Sequence, residues 1–418
     1  MMGYIVAIVL VIVGVCRHKK RGAWYAPDVL FCYMWFAITF MSSLHLYGMY
    51  KSSCYVYFIV LVGSISYVLG VSYSYYIRVT HVKDVSPASQ DFISKKIFWL
   101  LFVILFLLRL SPFIESLSLL LSGVNLQTLR NEFFEHSLSV KDVLINTLTS
   151  LFQPLLEISG VVYFVRDVKR NYLYVLSVLV LTLMSTIIDG GRFGLAFLII
   201  ELMVCYAIMC GRKDLSYLPL EKYRGKIIRY VCFLASVIVI ATFLRGTELN
   251  EMLVKYYRYF CGDIVFFDQK IKIIQDQHLF PLGTGLWGFW LLFFPLLHVF
   301  GVPYPSWYLE ATDKVMNTQE FFQIGDNMFT NAFSTPFYYL YADLRLVGVI
   351  LGMYLFGIFS GLSYRKCLIN TKNKYIIIYI LVCQMIFMTI FFYPFTNTGY
   401  VLIVLYLFVL HLKRIRIR

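Results

Sequence analysis

Long apolar runs alternate with short basic clusters along most of the chain. A membrane core about 30 Å thick requires roughly 20 apolar residues in a helix, and eleven runs approach that length. This pattern predicts an all-α polytopic integral membrane protein with about eleven transmembrane helices, forming a single transmembrane domain over residues 1–418. The runs cover about residues 3–16, 27–47, 55–77, 97–121, 143–165, 172–188, 195–210, 228–244, 336–362, 375–393 and 399–412.

The interval of about residues 245–335 departs from this pattern, because charged, aromatic, proline and glycine residues mix freely in it. We therefore predict one large extracytoplasmic functional loop here, held by the spans on either side. Its apolar stretch 282–300 is bracketed by Pro281 and Pro303 and contains Pro295. Prolines remove backbone hydrogen bonds that lipid cannot replace, so this stretch is predicted to be a re-entrant or interfacial hairpin.

The distribution of positive charge sets the predicted orientation. The chain is 60% hydrophobic and only 14% charged, yet its net charge is +14. Of its 37 Lys and Arg side chains, 25 fall in six segments on one predicted side, and 11 fall on the other. Cytoplasmic segments of membrane proteins are enriched in Lys and Arg, so the N-terminus is predicted outside and the C-terminus inside. The charge therefore requires no nucleic-acid partner.

Arginines at the outer ends of the spans are the first candidates for chemistry. Arg192 lies in the turn DGGRFG, which also supplies Gly190 and Gly191, and further arginines are Arg245, Arg258 and Arg345. The planar guanidinium can grip phosphate oxygens through two parallel hydrogen bonds. Glycines let backbone approach a ligand closely. The alternative interpretation of this turn is a tight connection with a solvated arginine.

No motif for a soluble nucleotide accompanies these arginines. The chain contains neither GxxxxGK[ST] nor GxGxxG nor DxD, and its nine cysteines show no spacing typical of a metal site. We therefore expect no cofactor and no metal. An enzyme whose donor is a lipid diphosphate can neutralise that charge with arginines instead. Aromatic side chains of the loop, including Tyr256 and Tyr257, suit either sugar binding or an interfacial belt.

Three segments carry a resemblance to a known family. They are DGGRFG after a span, YYRYFCGDIVFFDQ early in the loop, and NAFSTPFYYLYADLRLVG entering a span. Together they resemble the O-antigen and capsular repeat-unit polymerases (Wzy-type), which share a membrane architecture with O-antigen ligases. In that family an Asn-x-aromatic-Thr motif is followed by an acid-aromatic-Gly motif. Here Ser334 replaces the Thr, and Arg345 replaces the Gly that follows Asp343 and Leu344.

The resemblance implies a glycosyltransferase C-like architecture in the bacterial cytoplasmic (inner) membrane, with the active face outside. It implies polymerisation of oligosaccharide repeats carried on undecaprenyl diphosphate, with a polysaccharide chain-length regulator as a further partner. Arg192, Arg258 and Arg245 are then expected to contact diphosphate, and Asn331 to orient a sugar or cap a helix. Arg345 is expected beside the substrate or paired with Asp343. The candidate general bases are Asp263, His278, Asp343 and His298.

Two alternatives remain open at this point. One is an O-antigen ligase, which transfers finished glycan to a lipid A core. The other is a transporter or flippase for lipid-linked sugars, a class that often has internal repeats and charged residues deep in several spans. The chain shows no internal repeat, and Arg109 is expected to be the one ionisable side chain inside a span. Both observations favour an enzyme.

Overall fold

A computed structural model describes most of the chain, and it divides into two compact units. The described residues are 1–79, 93–125, 128, 140–211, 220–243, 249–276, 283–317, 321–330, 334–370 and 372–405. Unit 1 comprises Met1–Val79, Leu253–Arg365 and Met385–Arg418, and unit 2 comprises Thr80–Met252 and Lys366–Gln384.

Helices dominate both units. In chain order they are α1 (Met2–Arg21), α2 (Pro27–Ser43), α3 (Cys54–Tyr73), α4 (Lys95–Leu121), α5 (Val140–Arg166), α6 (Tyr172–Asp189), α7 (Phe193–Gly211), α8 (Leu220–Phe243), α9 (Leu249–Asp276), α10 (Trp287–Val299), α11 (Ser306–Lys314), α12 (Pro336–Ile369) and α13 (Asn373–Met388). A small antiparallel hairpin pairs β1 (Phe322–Gly325) with β2 (Met328–Thr330). The all-α prediction did not include this hairpin.

Eight described helices are long and apolar enough to cross a membrane: α1, α3, α4, α5, α6, α7, α8 and α12. This confirms the prediction of a helical, polytopic membrane protein. The runs at 27–47 and 375–393 form the shorter helices α2 and α13, of 17 and 16 residues. Because residues 406–412 lie outside the described part of the chain, the count of eleven spans stays a prediction, as does the orientation.

The interval predicted to be a loop is largely helical where the structure describes it. Its main element is α9, which has 28 residues. Buried positions Tyr257, Cys261, Ile264 and Ile271 recur on it at helical spacing. Since α10 has only 13 residues, its length is about 20 Å, which is too short to cross the roughly 30 Å membrane core. A surface-lying or re-entrant position for α10 stays a prediction.

Glycines bring α3 and α12 into backbone contact within unit 1. A Cβ added at Gly70 would lie 2.0 Å from the carbonyl oxygen of Tyr354, and one added at Gly357 would lie 2.2 Å from that of Tyr67. Small residues at such crossings allow apolar helices to pack closely. Further towards its N-terminus, α12 is kinked at Leu344 and Arg345, where the backbone leaves the helical region.

Candidate functional site

A polar cleft lies within unit 2, between helices that are otherwise apolar. Its volume is about 430 Å³, and α4, α5, α6 and the start of α7 line it. Polar residues recur every three or four positions on α5 and α6, and that spacing places them on one face of each helix. These stripes are Asn146, Thr149, Ser150, Gln153 and Glu157 on α5, and Thr182, Ser185, Thr186 and Asp189 on α6.

Hydrogen bonds connect the two stripes. The Gln153 side-chain amide donates to Glu157 Oε1 at 2.8 Å and to Ser185 Oγ at 3.0 Å. The Thr182 hydroxyl also donates to Glu157 Oε1, at 2.8 Å. Glu157 is only 5% exposed, so these donors replace water around its carboxylate.

Arg109 brings a positive charge to this network from α4. Its Nη1 donates to Ser185 Oγ at 2.8 Å, while its buried Nε has no hydrogen-bond partner within the described residues. The carboxylates of Glu157 and Asp189 act electrostatically on the same guanidinium. The cleft therefore contains one cationic and two acidic side chains, surrounded by amides and hydroxyls.

The DGGRFG turn lies at one end of the cleft. Gly190 ends α6 in the left-handed conformation, with φ of 60°, which glycine adopts without steric cost. The Gly191 amide donates to Asp189 Oδ1 at 2.6 Å, so this amide is already bonded. Arg192 Nη1 donates to the Thr242 hydroxyl of α8 at 2.5 Å. The turn is thus closed by its own aspartate and tied to α8 by its arginine.

In unit 1, Tyr257 anchors α9 to the end of α2. Its hydroxyl accepts from the Leu46 amide at 3.0 Å and donates to the Met41 carbonyl at 2.8 Å. Burial raises the pKa of Tyr257 to about 12. Neighbouring Tyr256 is half-buried and lines an apolar groove together with Tyr257. Both hydrogen bonds of the Tyr257 hydroxyl are therefore made within the protein.

Two candidate residues of α9 differ in environment. Arg258 is half-buried, with its guanidinium carbon 5.3 Å from the centre of the Tyr259 ring. Asp263 is 1% exposed, and neither carboxyl oxygen has a hydrogen-bond partner among the residues that the structure describes. Burial raises the pKa of Asp263 well above its usual value. A raised pKa brings a carboxyl group closer to the range in which side chains transfer protons.

We expect the buried Asp263 carboxyl to make stability depend on pH. At pH values between the unfolded pKa of about 4 and the raised folded pKa, the folded protein keeps this proton while the unfolded chain has lost it. The stabilisation that results is complete below the unfolded pKa. It declines as the pH rises towards the raised folded pKa. Lowering the pH from about 7 to about 5 should stabilise the wild type by up to about 1.4 kcal/mol per unit.

Thermal unfolding of the wild type and of Asp263→Asn across this pH range checks the prediction. The Asn side chain has nearly the same shape but does not titrate in this range, so the variant should show a smaller slope. Equal slopes for the two proteins would contradict it.

Asp343 fastens the turn that precedes α10. Its Oδ1 accepts from the Thr284 amide and the Thr284 hydroxyl, each at 2.5 Å. Its Oδ2 accepts from the Gly285 amide at 2.9 Å. These amides belong to the first turn of a helical segment, where a carboxylate is favoured. The carboxylate that was predicted as a general base therefore has a structural role as well.

Arg345 follows Asp343 at the kink of α12. Its φ of 54° and ψ of −139° lie in a region that favours glycine. Its Nη2 donates to the Ile274 carbonyl of α9 at 3.2 Å. The side chain thus links the kink to α9 within unit 1.

The structure assigns the predicted site residues to different units. Gly190, Gly191 and Arg192 belong to unit 2, whereas Tyr256, Tyr257, Arg258, Asp263, Asp343 and Arg345 belong to unit 1. His298 is exposed on α10, and its ring stacks on Tyr304 with centroids 4.5 Å apart. Arg245, His278 and Asn331 lie outside the described residues. The roles predicted for all of these side chains stay predictions.

Most residues of the cleft were not predicted as site residues. The expectation that Arg109 is the one ionisable side chain inside a span is wrong, because Glu157 and Glu201 are buried in α5 and α7. Polar residues at helical spacing within the runs 143–165 and 172–188 were the available signal. Across the described ranges, no group of three or more His, Cys, Asp or Glu side chains is arranged to hold a metal ion.

Comparison with known proteins gives no relative for this chain: no family model, no curated protein and no solved structure matches it.

Proposed function

We propose that the protein is a membrane glycosyltransferase that polymerises oligosaccharide repeat units carried on undecaprenyl diphosphate. The reaction takes place at the outer face of the bacterial cytoplasmic membrane. The product is a surface polysaccharide, such as an O-antigen, a capsule or an exopolysaccharide. The donor and acceptor are both lipid-linked, so the protein binds them from the bilayer.

The observation that carries this proposal is the polar cleft that ends at the Arg192 turn. Burying polar groups among apolar helices is unfavourable, so a cavity lined by carboxylates, amides and hydroxyls favours an occupant that can hydrogen-bond to them. The turn places an arginine next in sequence to Gly191, which lines the cleft. Such an arrangement suits a substrate with a sugar, a diphosphate and a lipid tail.

The proposed reaction exchanges one bond for another. An acceptor sugar hydroxyl attacks the anomeric carbon of the donor glycan, and the bond from that carbon to the diphosphate oxygen breaks. The hydroxyl proton passes to a base, and undecaprenyl diphosphate leaves with the bonding electrons. Positioning the two lipids and stabilising the diphosphate charge are the main tasks of the protein.

Arg192 is our first assignment for the diphosphate contact, with Arg258 and Arg245 next. The candidate bases are Asp263, His278, Asp343 and His298. Among them, the Asp343 carboxylate already accepts three hydrogen bonds.

The backbone at Arg345 gives independent support to the resemblance. The polymerase motif has glycine at the position that Arg345 occupies, and here that residue has a positive φ of 54°. Glycine adopts such a conformation far more readily than other residues do. The backbone conformation at the kink of α12 is therefore one that the glycine of the family motif would adopt readily.

Gel analysis of surface glycan tests the proposal. Cells lacking the protein should carry a single repeat unit, and the wild-type gene should restore a ladder. We expect Arg192→Ala to abolish the ladder at normal protein abundance and Arg192→Lys to restore little of it, because lysine lacks the bidentate fork. Arg170→Ala, which removes an exposed arginine of unit 2, is the matched control and should form a normal ladder.

Other outcomes of this experiment identify the alternatives. Long chains that remain on the lipid carrier and never reach lipid A would indicate a ligase. Repeats that accumulate on the cytoplasmic side would indicate a transporter of lipid-linked sugars. One observation favours that second candidate, since Glu201 is fully buried in α7 and Glu157 is nearly so in α5. An Arg192→Ala variant that forms a normal ladder would contradict the role given to this arginine.

A further inference from the structure

The charges of the unit 2 cleft distinguish between the parts of a sugar–diphosphate substrate. Its lining contains one guanidinium, from Arg109, and two carboxylates, from Glu157 and Asp189. The acidic side chains already offset the charge of Arg109, so a dianionic diphosphate placed inside would gain little net attraction and would lie close to like charge where water is scarce. The interior of the cleft is therefore unsuited to the diphosphate itself.

The remaining lining matches a ligand rich in hydroxyl groups. Amides and hydroxyls both donate and accept hydrogen bonds, as does each hydroxyl of a sugar. The Gln153 amide and the Ser185 hydroxyl already exchange hydrogen bonds with Glu157 and Arg109. This network holds the polar groups in fixed positions, which lowers the entropy that a ligand must remove on binding.

An apolar wall completes the cleft. Phe193 and Phe197 of α7 both line it, and their rings stack with centroids 6.4 Å apart. Phe193 remains 37% exposed. Ligand pockets commonly combine apolar and aromatic walls with a few fixed polar groups. Aromatic side chains in the same lining as polar stripes suit a ring that has C–H groups on its faces and hydroxyls around its edge.

We propose that the unit 2 cleft binds an uncharged pyranose of the lipid-linked repeat unit and discriminates between sugars by their hydroxyl pattern. The source of the sugar rests on the proposed function, whereas the affinity for a pyranose rests on the cleft alone. A site that hydrogen-bonds a hydroxyl rejects an analogue lacking it, because its own polar groups are then left unpaired. The side chains that would hydrogen-bond to the sugar hydroxyls are those of Gln153, Glu157 and Ser185.

Protection of an introduced thiol tests this inference on the full chain in nanodiscs. Ser150 lines the cleft and is exposed, so the Ser150→Cys variant should react with a polar alkylating reagent. The probes are methyl α-glucoside, methyl α-galactoside, methyl α-rhamnoside and N-acetylglucosamine, each at millimolar concentration, with inorganic pyrophosphate for comparison. Mass spectrometry of peptides separates the introduced thiol from that of the natural Cys54, which is exposed and belongs to unit 1.

We expect at least one of the sugars to slow alkylation of the introduced thiol several-fold and to leave Cys54 unaffected. Adding Ser185→Ala should lower the affinity for the protecting sugar by roughly three- to tenfold, which is the effect of one lost hydrogen bond. Ser177→Ala is the matched control on α6, because the Ser177 hydroxyl donates to the Tyr174 carbonyl of its own helix. Glu157→Gln provides a second cleft variant should Ser185→Ala fail to fold.

Two results would overturn the inference. One is that no sugar protects the introduced thiol, and the other is that pyrophosphate protects it while the sugars do not. These results are independent of polymerisation. Protection by a sugar in a protein that forms no glycan ladder would retain the cleft assignment and reject the polymerase. A normal ladder without protection by any sugar would retain the polymerase and reject the cleft assignment.

Discussion

Replacing Gly357 by valine is expected to remove most of the folded protein from the membrane. A Cβ at this position would lie 2.2 Å from the Tyr67 carbonyl oxygen of α3, well inside any normal contact distance. The obstacle is backbone, which cannot rotate away as a side chain can. Overpacking usually destabilises by about 1–3 kcal/mol, and we expect Gly357→Val to reach or exceed that range.

The yield of monodisperse protein in detergent and its thermal midpoint measure this effect. Gly70→Val should behave in the same way, since its Cβ would lie 2.0 Å from the Tyr354 carbonyl oxygen. Gly225→Ala is the control, because among the described residues no atom beyond the local backbone of α8 lies within 4 Å of a Cβ added there. It should leave stability unchanged or raise it by up to about 1 kcal/mol. A Gly357→Val protein with a normal midpoint would show that α3 and α12 do not approach so closely.

This crossing matters for function because α12 also carries the kink at Arg345. Asp343, just before the kink, holds the turn at Thr284 and Gly285, and Arg345 bonds to the Ile274 carbonyl of α9. The contact with α3 therefore helps to fix the helix from which these links extend. Under the proposed function, loss of the crossing should reduce glycan formation in proportion to the folded protein that remains.

The long apolar helices were predictable because membrane thickness sets their length. For example, the run 55–77 corresponds to α3, Cys54–Tyr73. The helix α9 was not predicted, since its charged and aromatic residues suggested a loop. Its buried side chains Tyr257, Cys261 and Ile264 nevertheless follow a helical period. In a chain with so many fully apolar helices, the polar residues of an amphipathic helix are easily mistaken for a loop between spans.

The candidate site was harder to predict, because it depends on which helices are neighbours. Arg192 and Gly190 were identified from a local turn motif that the structure retains as a turn. The cleft needs α4, α5 and α6 together, and nothing in the sequence pairs Arg109 with Ser185, which lies 76 positions away. Asp343 illustrates the converse. From the sequence, its carboxylate was predicted to be a general base. In the fold, the carboxylate accepts hydrogen bonds from the first turn of a helical segment that is distant in sequence.

Replacing Arg109 by leucine is the second substitution from which we expect a large effect. It leaves the Glu157 and Asp189 carboxylates in the cleft without the guanidinium that balances them. The substitution also removes the hydrogen bond from Arg109 Nη1 to Ser185 Oγ, and a hydrogen bond that involves a charged group contributes about 1.5–3 kcal/mol. Glu157→Leu should be milder, because Arg109 then still faces Asp189.

The double variant Arg109→Leu/Glu157→Leu should be more stable than the sum of the two single effects predicts. Residues in one charge and hydrogen-bond network commonly show coupling of about 0.5–3 kcal/mol. The thermal midpoints of the wild type, the two single variants and the double variant in nanodiscs give the double-mutant cycle. Additive effects would show that the two charges do not interact across the cleft.

Glu157→Gln separates charge from hydrogen bonding in the same site. The glutamine oxygen can still accept from Gln153 and Thr182, as Glu157 Oε1 does at 2.8 Å from each. If the cleft reads sugar hydroxyls, this variant should retain a glycan ladder that Glu157→Leu loses. A proton-coupled transporter would need the ionisable carboxyl, so Gln should then be as inactive as Leu. The comparison thus decides whether Glu157 acts as a hydrogen-bond acceptor or as a proton carrier.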